Sequence, residues 1–387
     1  VTARGYNGVA LCCPVTEPYV RRSEHGAAWF LAQTLHRLIA AAGIAKSDID
    51  GLCVSSFTLA PDTAVGFTQQ VGLSPRFLES LPMGGACGVI ALRRAARAVQ
   101  DGDAEIVACI AGDTANETSF RDLLANFSSF SRDAVYPYGA GGPNASFALI
   151  ADAYMRATGA TREDFGKLAV AQRANGQRNP LALLRGDLTM TEYLQARPIA
   201  EPLHLFDCVM PCAGADGFLV MAEDRARALR LPFVRVLGAI ERHNAFPDDQ
   251  VQLRGGWAMD ADALWSQSGI GATDVQLVQT YDDYPVISML QFEGLGFCAP
   301  GAAPDFVRRH DFTIDGDVPH NTGGGQLSMG QAGAAGGYLG PVEAIRQLLG
   351  QAEGRQVANA HHALVSGFGM INYDRGLCSA AAVLARA

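Results

Sequence analysis

Apolar residues in this chain gather into short continuous runs, separated by longer stretches in which they recur at helical spacing. Residues 8–15 (GVALCCPV) and 49–57 (IDGLCVSSF) read as buried strands flanking 24–44, an apolar-periodic helix stopped by Gly43. Residues 67–71 suggest a short helix, and 77–83 leads into a glycine turn. Residues 105–112 (EIVACIAG) form an unbroken apolar run, the pattern of a strand covered on both faces. Strands alternating with helices predict a mainly parallel α/β layer.

That rhythm breaks over 114–205, where helices are predicted from about Asn144 to Thr158 and from Thr161 onward, the latter with Arg162, Glu163 and Asp164 in its first turn. An excursion of this length is expected to carry substrate or subunit contacts. The core resumes at 207–221 (DCVMPCAGADGFLVM), and the alternation then starts again. Strands are predicted at 233–240, 275–280, 363–367 and 378–385, with helices at 261–269 and 285–295 and a glycine-rich turn into a helix over 326–349. The small-residue entry into a helix at 86–99 has a counterpart at 333–348, so the halves share one plan. The expected organisation is 1–114 as the first part of an N-terminal domain, 115–205 as an inserted loop domain, 206–230 as completion of the first domain, and 231–387 as a C-terminal domain.

The stretch 81–100 (LPMGGACGVIALRRAARAVQ) concentrates the chemistry. Gly84 and Gly85 allow a sharp turn, Ala91, Leu92, Ala95, Ala96 and Val99 recur at helical spacing, and Cys87 falls at the first helical turn. Free amides and the helix dipole there favour a thiolate, whereas a buried structural cysteine is the plainer alternative.

Composition narrows the class. The chain has 387 residues, 49% hydrophobic and 18% charged, enough for two packed domains with little disorder. A net charge of −9 argues against nucleic acid as the main partner. Nine cysteines are too few for a disulfide framework in a chain this long, and with no apolar run long enough to span a bilayer and no leader-like start they predict a cytoplasmic protein, without membrane contact. Cys208 and Cys212 lack a second pair at metal spacing, so no metal site is expected.

Four stretches in order, GGACGVIAL around Cys87, DCVMPCAGADG at 207–217, YDDY at 281–284 followed by FEGLGF, and NTGGGQLSMGQAGAAGG at 321–337, resemble the thiolase superfamily, most closely its sterol-carrier-protein-type branch. The resemblance covers essentially the whole chain. It implies an α/β thiolase fold: duplicated five-stranded halves in five α-β-α-β-α layers, with an inserted loop domain. It assigns Cys87 to the nucleophile position and the turn 366–370 (SGFGM), through Gly367 or Gly369, to an oxyanion hole with the cysteine's own amide.

Three departures from the family pattern bear on mechanism. Where thiolases carry Gly-His-Pro, this chain has Gly330, Gln331 and Ala332, and a glutamine side chain cannot take a proton at neutral pH. The Asn-Glu-Ala-Phe or His-Asp-Cys-Phe box reads Tyr281, Asp282, Asp283, Tyr284; Tyr281 followed by Asp282 is similar to the thiolase-like aldolases of steroid CoA thioesters. The last catalytic cysteine has no counterpart near Val365 and Ser366, leaving Ser366, His362, His361 and His320 as candidates for that corner. Asp207 and Asp216 read as structural turn residues, Tyr136 and Tyr138 as pocket or packing residues, and Arg173, Arg178 and Arg185 as either solvated or CoA-phosphate contacts.

Three functions follow as expectations. The first is a thiolase-type acyltransferase cleaving a 3-oxoacyl-CoA-like thioester through an acyl-Cys87 intermediate. The second is a retro-aldolase on a CoA thioester using Tyr281, and the third a CoA- or lipid-binding subunit without turnover. Coenzyme A is expected as substrate, with no tightly bound cofactor. The resemblance further implies a homodimer, and a heterotetramer where a small zinc-ribbon and oligonucleotide-fold protein joins it.

Overall fold

The computed structural model describes residues 4–115, 128–139 and 142–387. Its main sheet is built from β1 (Val9–Val20), β2 (Gly51–Ser55), β3 (Phe77–Ser80) and β4 (Ile106–Thr114) before the excursion. A small ribbon of β5 (Pro198–Ala200) and β6 (Leu203–His204) lies within the excursion. After it come β7 (Ala213–Ala222), β8 (Val234–His243), β9 (Leu277–Gln279), β10 (His362–Asn372) and β11 (Arg375–Arg386). The nine strands run β3-β2-β4-β7-β1-β8-β11-β10-β9.

The duplication is visible in that order. In the first half β2 pairs in parallel with β4, β4 antiparallel with β7, and β7 antiparallel with β1. The second half repeats this as β9 with β10, β10 with β11, and β11 with β8. The halves meet through a short register, Ala10 opposite Arg235 and Leu11 opposite Val234. Where the first half has β3 at its edge, the second has a single parallel bridge, Val278 to His320.

Helices before the excursion are α1 (Ala27–Ala42), α2 (Ala64–Val71) and α3 (Cys87–Asp101). Within it lie α4 (Pro143–Thr158), α5 (Arg162–Gln177) and α6 (Met190–Gln195), and then α7 (Glu223–Ala228) closes the first half. The second half adds α8 (Trp257–Ser268), α9 (Pro285–Gly294), α10 (Ala303–Arg309), α11 (Gly325–Met329) and α12 (Gly336–Leu349). Helix α3 touches β2, β4 and β7 on one side and β10 and β11 on the other, and α12 likewise reaches strands of both halves. With α1 on the far face of the first half and α8 on that of the second, the chain forms the five layers expected of the fold. The two central helices cross where both backbones are bare: a Cβ on Gly88 would stand 2.2 Å from the Gly337 carbonyl oxygen. That near-contact is what the two small-residue entries accomplish.

Most predicted elements agree within a few residues, and β1 and β10 run five residues past the ends of their apolar runs, as pairing with neighbours carries them beyond the core. Helix α5 starts where its acidic first turn predicts, and Asp164 of that turn accepts from the Thr161 N–H at 2.8 Å. Helices α6 and α10 are too short to show periodicity, and the apolar pattern does not predict them.

Candidate active site

The strand ends of the two halves and the excursion enclose a cavity of about 700 Å³. Its walls are mostly apolar, Phe147, Phe206, Met210, Phe368 and Ile371 among them; its polar lining includes Asp113, the arginines Arg21, Arg173 and Arg197, and the trio Tyr281, Asp283 and Gln331. That volume and that mixture suit a ligand of drug size.

Tyr281 and Asp283 sit on the turn between β9 and α9, and their side chains reach the cavity while remaining largely buried. The Tyr281 ring lies over Gly85 so closely that a Cβ there would be 2.0 Å from it. Its backbone is held by Gln291 of α9, whose Oε1 accepts from Tyr281 N–H (3.1 Å) and whose Nε2 donates to Tyr281 O (2.7 Å). Ser366 donates to the same Gln291 Oε1 at 2.7 Å, so it braces Tyr281 from behind; it does not line the cavity.

Gln331 is fixed by its backbone: its N–H donates to Met210 O (2.8 Å) and its carbonyl accepts from Cys212 N–H (3.1 Å). Its side-chain Nε2 donates to Asp283 Oδ1 at 2.5 Å and to Tyr281 Oη at 3.2 Å. Burial pushes the Asp283 carboxyl up to about 7, with a hydrogen bond from Tyr281 pulling down and the Asp282 charge pushing further up. Burial, and then the Asp283 charge, hold the Tyr281 phenol well above its ordinary range. Tyr284 donates to Asn144 Oδ1 at 2.5 Å and packs on Phe147, closing the wall on the α4 side.

Cys87 is the first residue of α3, where the glycine turn predicts it. It is fully buried, its Sγ donates to Ala334 O at 3.2 Å, and it is not among the cavity-lining residues. Burial pushes its thiol up to about 12 despite a lowering contact with Ser55. Desolvation of the thiolate outweighs the helix terminus here, because no cation or imidazole among the described residues offsets it.

The other candidates for the last catalytic corner are placed elsewhere. His361 is exposed and His362 half-buried at the start of β10, about seven residues and therefore roughly 20 Å from Gly369 at the cavity. His320 is enclosed beside Phe292 and Phe312, bonded to Thr280 Oγ1 at 2.7 Å, and burial pushes it down to about 3. Asp282 points away from its neighbour, accepting from the N–H of Gln326 (3.0 Å) and of Leu327 (3.4 Å) at the start of α11. Gly369 lines the cavity beside Gly84 and Gly85, whereas Gly367 is packed against Gly85 O and Ala86.

Asp113 and Asp283 are the cavity carboxylates to which the sequence pattern assigns no role. Asp113 ends the apolar run of β4, where a lone charge after an unbroken apolar stretch is a usable signal. It accepts from Ser56 Oγ (2.7 Å), from the N–H of Thr58 (2.6 Å) and from the N–H of Ala334 (2.7 Å), tying the first-half loop to the entry of α12. Asp207, at the end of a short helical turn, is buried against Tyr193; Asp216 is buried against Thr16 and Tyr19 but sits inside β7, not in the turn expected from the sequence. Arg173 lines the cavity, whereas Arg178 is bonded to Asp315 and Gly354, and Arg185 is not among the lining residues. Tyr136 and Tyr138 are exposed. Among the described residues no group of three or more His, Cys, Asp or Glu is placed to hold a metal ion, and no helix is long and apolar enough to cross a membrane.

Two similar α/β halves around paired central helices, with a cavity at the strand ends, define a thiolase-like enzyme fold. Residues 241–382 match the family described as thiolase C-terminal domain-like. The chain is 32% identical to the 17-hydroxy-3-oxo-4-pregnene-20-carboxyl-CoA lyase of Mycobacterium tuberculosis, over 87% of this chain and 89% of that protein. It is also 32% identical to a steroid side-chain-cleaving aldolase of Thermomonospora curvata, over 81% of this chain and 83% of that one. The solved structure of an Ltp2-ChsH2(DUF35) aldolase superposes with a TM-score of 0.81 at 27% identity, covering 98% of both chains. The chain belongs to the thiolase superfamily, in its sterol-carrier-protein-type branch.

Proposed function

We propose that this protein is a carbon–carbon lyase of the retro-aldol type, acting on a 3-hydroxyacyl-CoA thioester with a bulky acyl group. The observation that carries this reading is which groups meet the cavity: Tyr281, Asp283 and Gln331 line it, and Cys87 does not. The two lyase relatives support the same choice, since both are similar over more than four-fifths of this chain. Acyl transfer through Cys87 is the weaker reading, because burial pushes its thiol up to about 12 and it does not line the cavity.

In the proposed reaction the 3-hydroxyl of the substrate loses its proton toward Tyr281. The bond between the second and third carbons then breaks, releasing a carbonyl product. Its electron pair passes to the thioester as an enolate, which is protonated at carbon to give a shorter acyl-CoA. No acyl-enzyme and no free CoA enter the balance. The mostly apolar cavity suits a polycyclic acyl group, and Arg173 on its wall supplies positive charge for the thioester or CoA portion. A dimer, a small partner resembling the ChsH2(DUF35) component of the solved aldolase, and a cytoplasmic location belong to the same proposal.

The test is incubation with 17-hydroxy-3-oxo-4-pregnene-20-carboxyl-CoA without free CoA, followed by mass spectrometry. The proposal expects a steroid ketone and propanoyl-CoA, both abolished by Tyr281→Phe. Cleavage that requires free CoA and leaves an acyl group on Cys87 would refute it.

A further inference from the structure

We infer that Asp283 takes up and returns the single proton of the reaction through the Tyr281 hydroxyl, with Gln331 holding the two in register; this rests on the retro-aldol reading. Gln331 directs its amide hydrogens to Asp283 Oδ1 and Tyr281 Oη, at 2.5 and 3.2 Å. A primary amide has no proton to exchange at neutral pH, so its contribution is geometric. Accepting from Gln331 occupies one lone pair of Tyr281 and leaves the phenolic hydrogen free to turn to Asp283 or to a ligand in the cavity.

The division of labour follows from the surroundings. Tyr281 is buried beside a carboxylate, so its phenolate is strongly disfavoured and the ring cannot be a standing base. Asp283 is the member of the trio that changes charge near neutrality.

The neighbouring titratable groups are engaged elsewhere. Asp282 on the same turn, likewise pushed up to about 6 by burial, is held by the α11 amides and does not line the cavity. Cys208, from the turn before β7, and Cys87 of α3 are both pushed up to about 12, and Tyr284 is raised as well. Asp113, likewise raised by burial, has its carboxylate taken up by loop donors, and Arg173 is bonded to Ser328 Oγ at 3.3 Å. No histidine lines the cavity among the described residues.

The step balances without a co-reactant. As the substrate hydroxyl gives its proton to Tyr281 Oη, Tyr281 passes its own to the Asp283 carboxylate, and the carbon–carbon bond cleaves to carbonyl and enolate. Asp283 then returns that proton through Tyr281 to the enolate carbon, regenerating its carboxylate. One proton leaves oxygen and one arrives at carbon, so the trio ends in its starting state.

The full chain is assayed with two probes across pH. Cleavage is followed with 2-(1-hydroxycyclohexyl)propanoyl-CoA, and exchange at the α-carbon with propanoyl-CoA in deuterated buffer. Both rates should rise with pH through one ionisation and then level off. Asp283→Asn should lower both by about 10²–10⁴-fold and remove that ionisation, while Asp283→Glu restores it in part. A folded Asp283→Asn variant, checked by thermal melting, that stays within about tenfold of wild type or keeps the ionisation would overturn the inference. Exchange that depends on Asp283 without any cleavage would leave the relay standing and sink the retro-aldol reading. Neither exchange nor cleavage by the wild type would sink both.

Discussion

Replacing Asp283 by asparagine should stabilise the folded protein, and increasingly so as pH rises. The carboxyl is 8% exposed, and burial is the largest cause of its rise from 3.8 to about 7. Because its folded value lies above its unfolded one, the native state favours the protonated form. The stability tied to that proton is fully present below about pH 4 and is lost as pH rises through about 7. A tenfold change in proton affinity corresponds to about 1.4 kcal/mol, so the full loss for this carboxyl is about 4 kcal/mol. Asparagine is neutral throughout and still offers Oδ1 to the Gln331 amide, so it escapes the loss while keeping that hydrogen bond. Urea unfolding of both proteins measures the gap directly. It should be within about 1 kcal/mol near pH 4 and reach several kcal/mol above pH 8 in favour of the variant. A gap that does not change with pH, or a variant less stable at high pH, would refute the reasoning. The expected pairing of higher stability with lost turnover is what a charge held in a dry site for chemistry should show.

Two further outcomes follow from the packing. Gly88→Ala would place a Cβ 2.2 Å from Gly337 O at the crossing of α3 and α12; overpacking of this kind costs about 1–3 kcal/mol or more, read as a lowered melting temperature and poor yield. Iodoacetamide should leave Cys87 unmodified in the native protein at neutral pH, and Cys87→Ala should retain turnover, with peptide mapping and kinetics as the checks. Rapid native-state labelling of Cys87 would reopen acyl transfer.

How much of the site is legible in the sequence varies residue by residue. Tyr281 and Gln331 stand out because each replaces a group on which thiolase chemistry depends, and they prove to be bonded to each other. Asp282 and Asp283 cannot be told apart from composition, since they are adjacent. The turn sends one to the amides of α11 and the other to the cavity. Ser366 and His362 lie on one strand, with His361 just before it, yet the serine braces Gln291 while the two histidines lie at the strand's remote end. Proximity in sequence to a family motif says nothing about which face or end of β10 each would occupy.

Local rules are enough for the layers. The unbroken apolar run of β4, the Gly43 stop of α1 and the small residues entering α3 and α12 each act over a few positions. Together they require two α/β halves around buried central helices. The chemistry at the strand ends is decided by groups from distant parts of the chain. Gln331 reaches Tyr281 and Asp283, Ala334 takes the Cys87 thiol, and Gly85 admits the Tyr281 ring. Desolvation is the reason the sequence by itself does not decide this. Whether Cys87 or Asp283 changes charge near neutral pH depends on how much water and which partners surround it, and the fold alone brings those partners together.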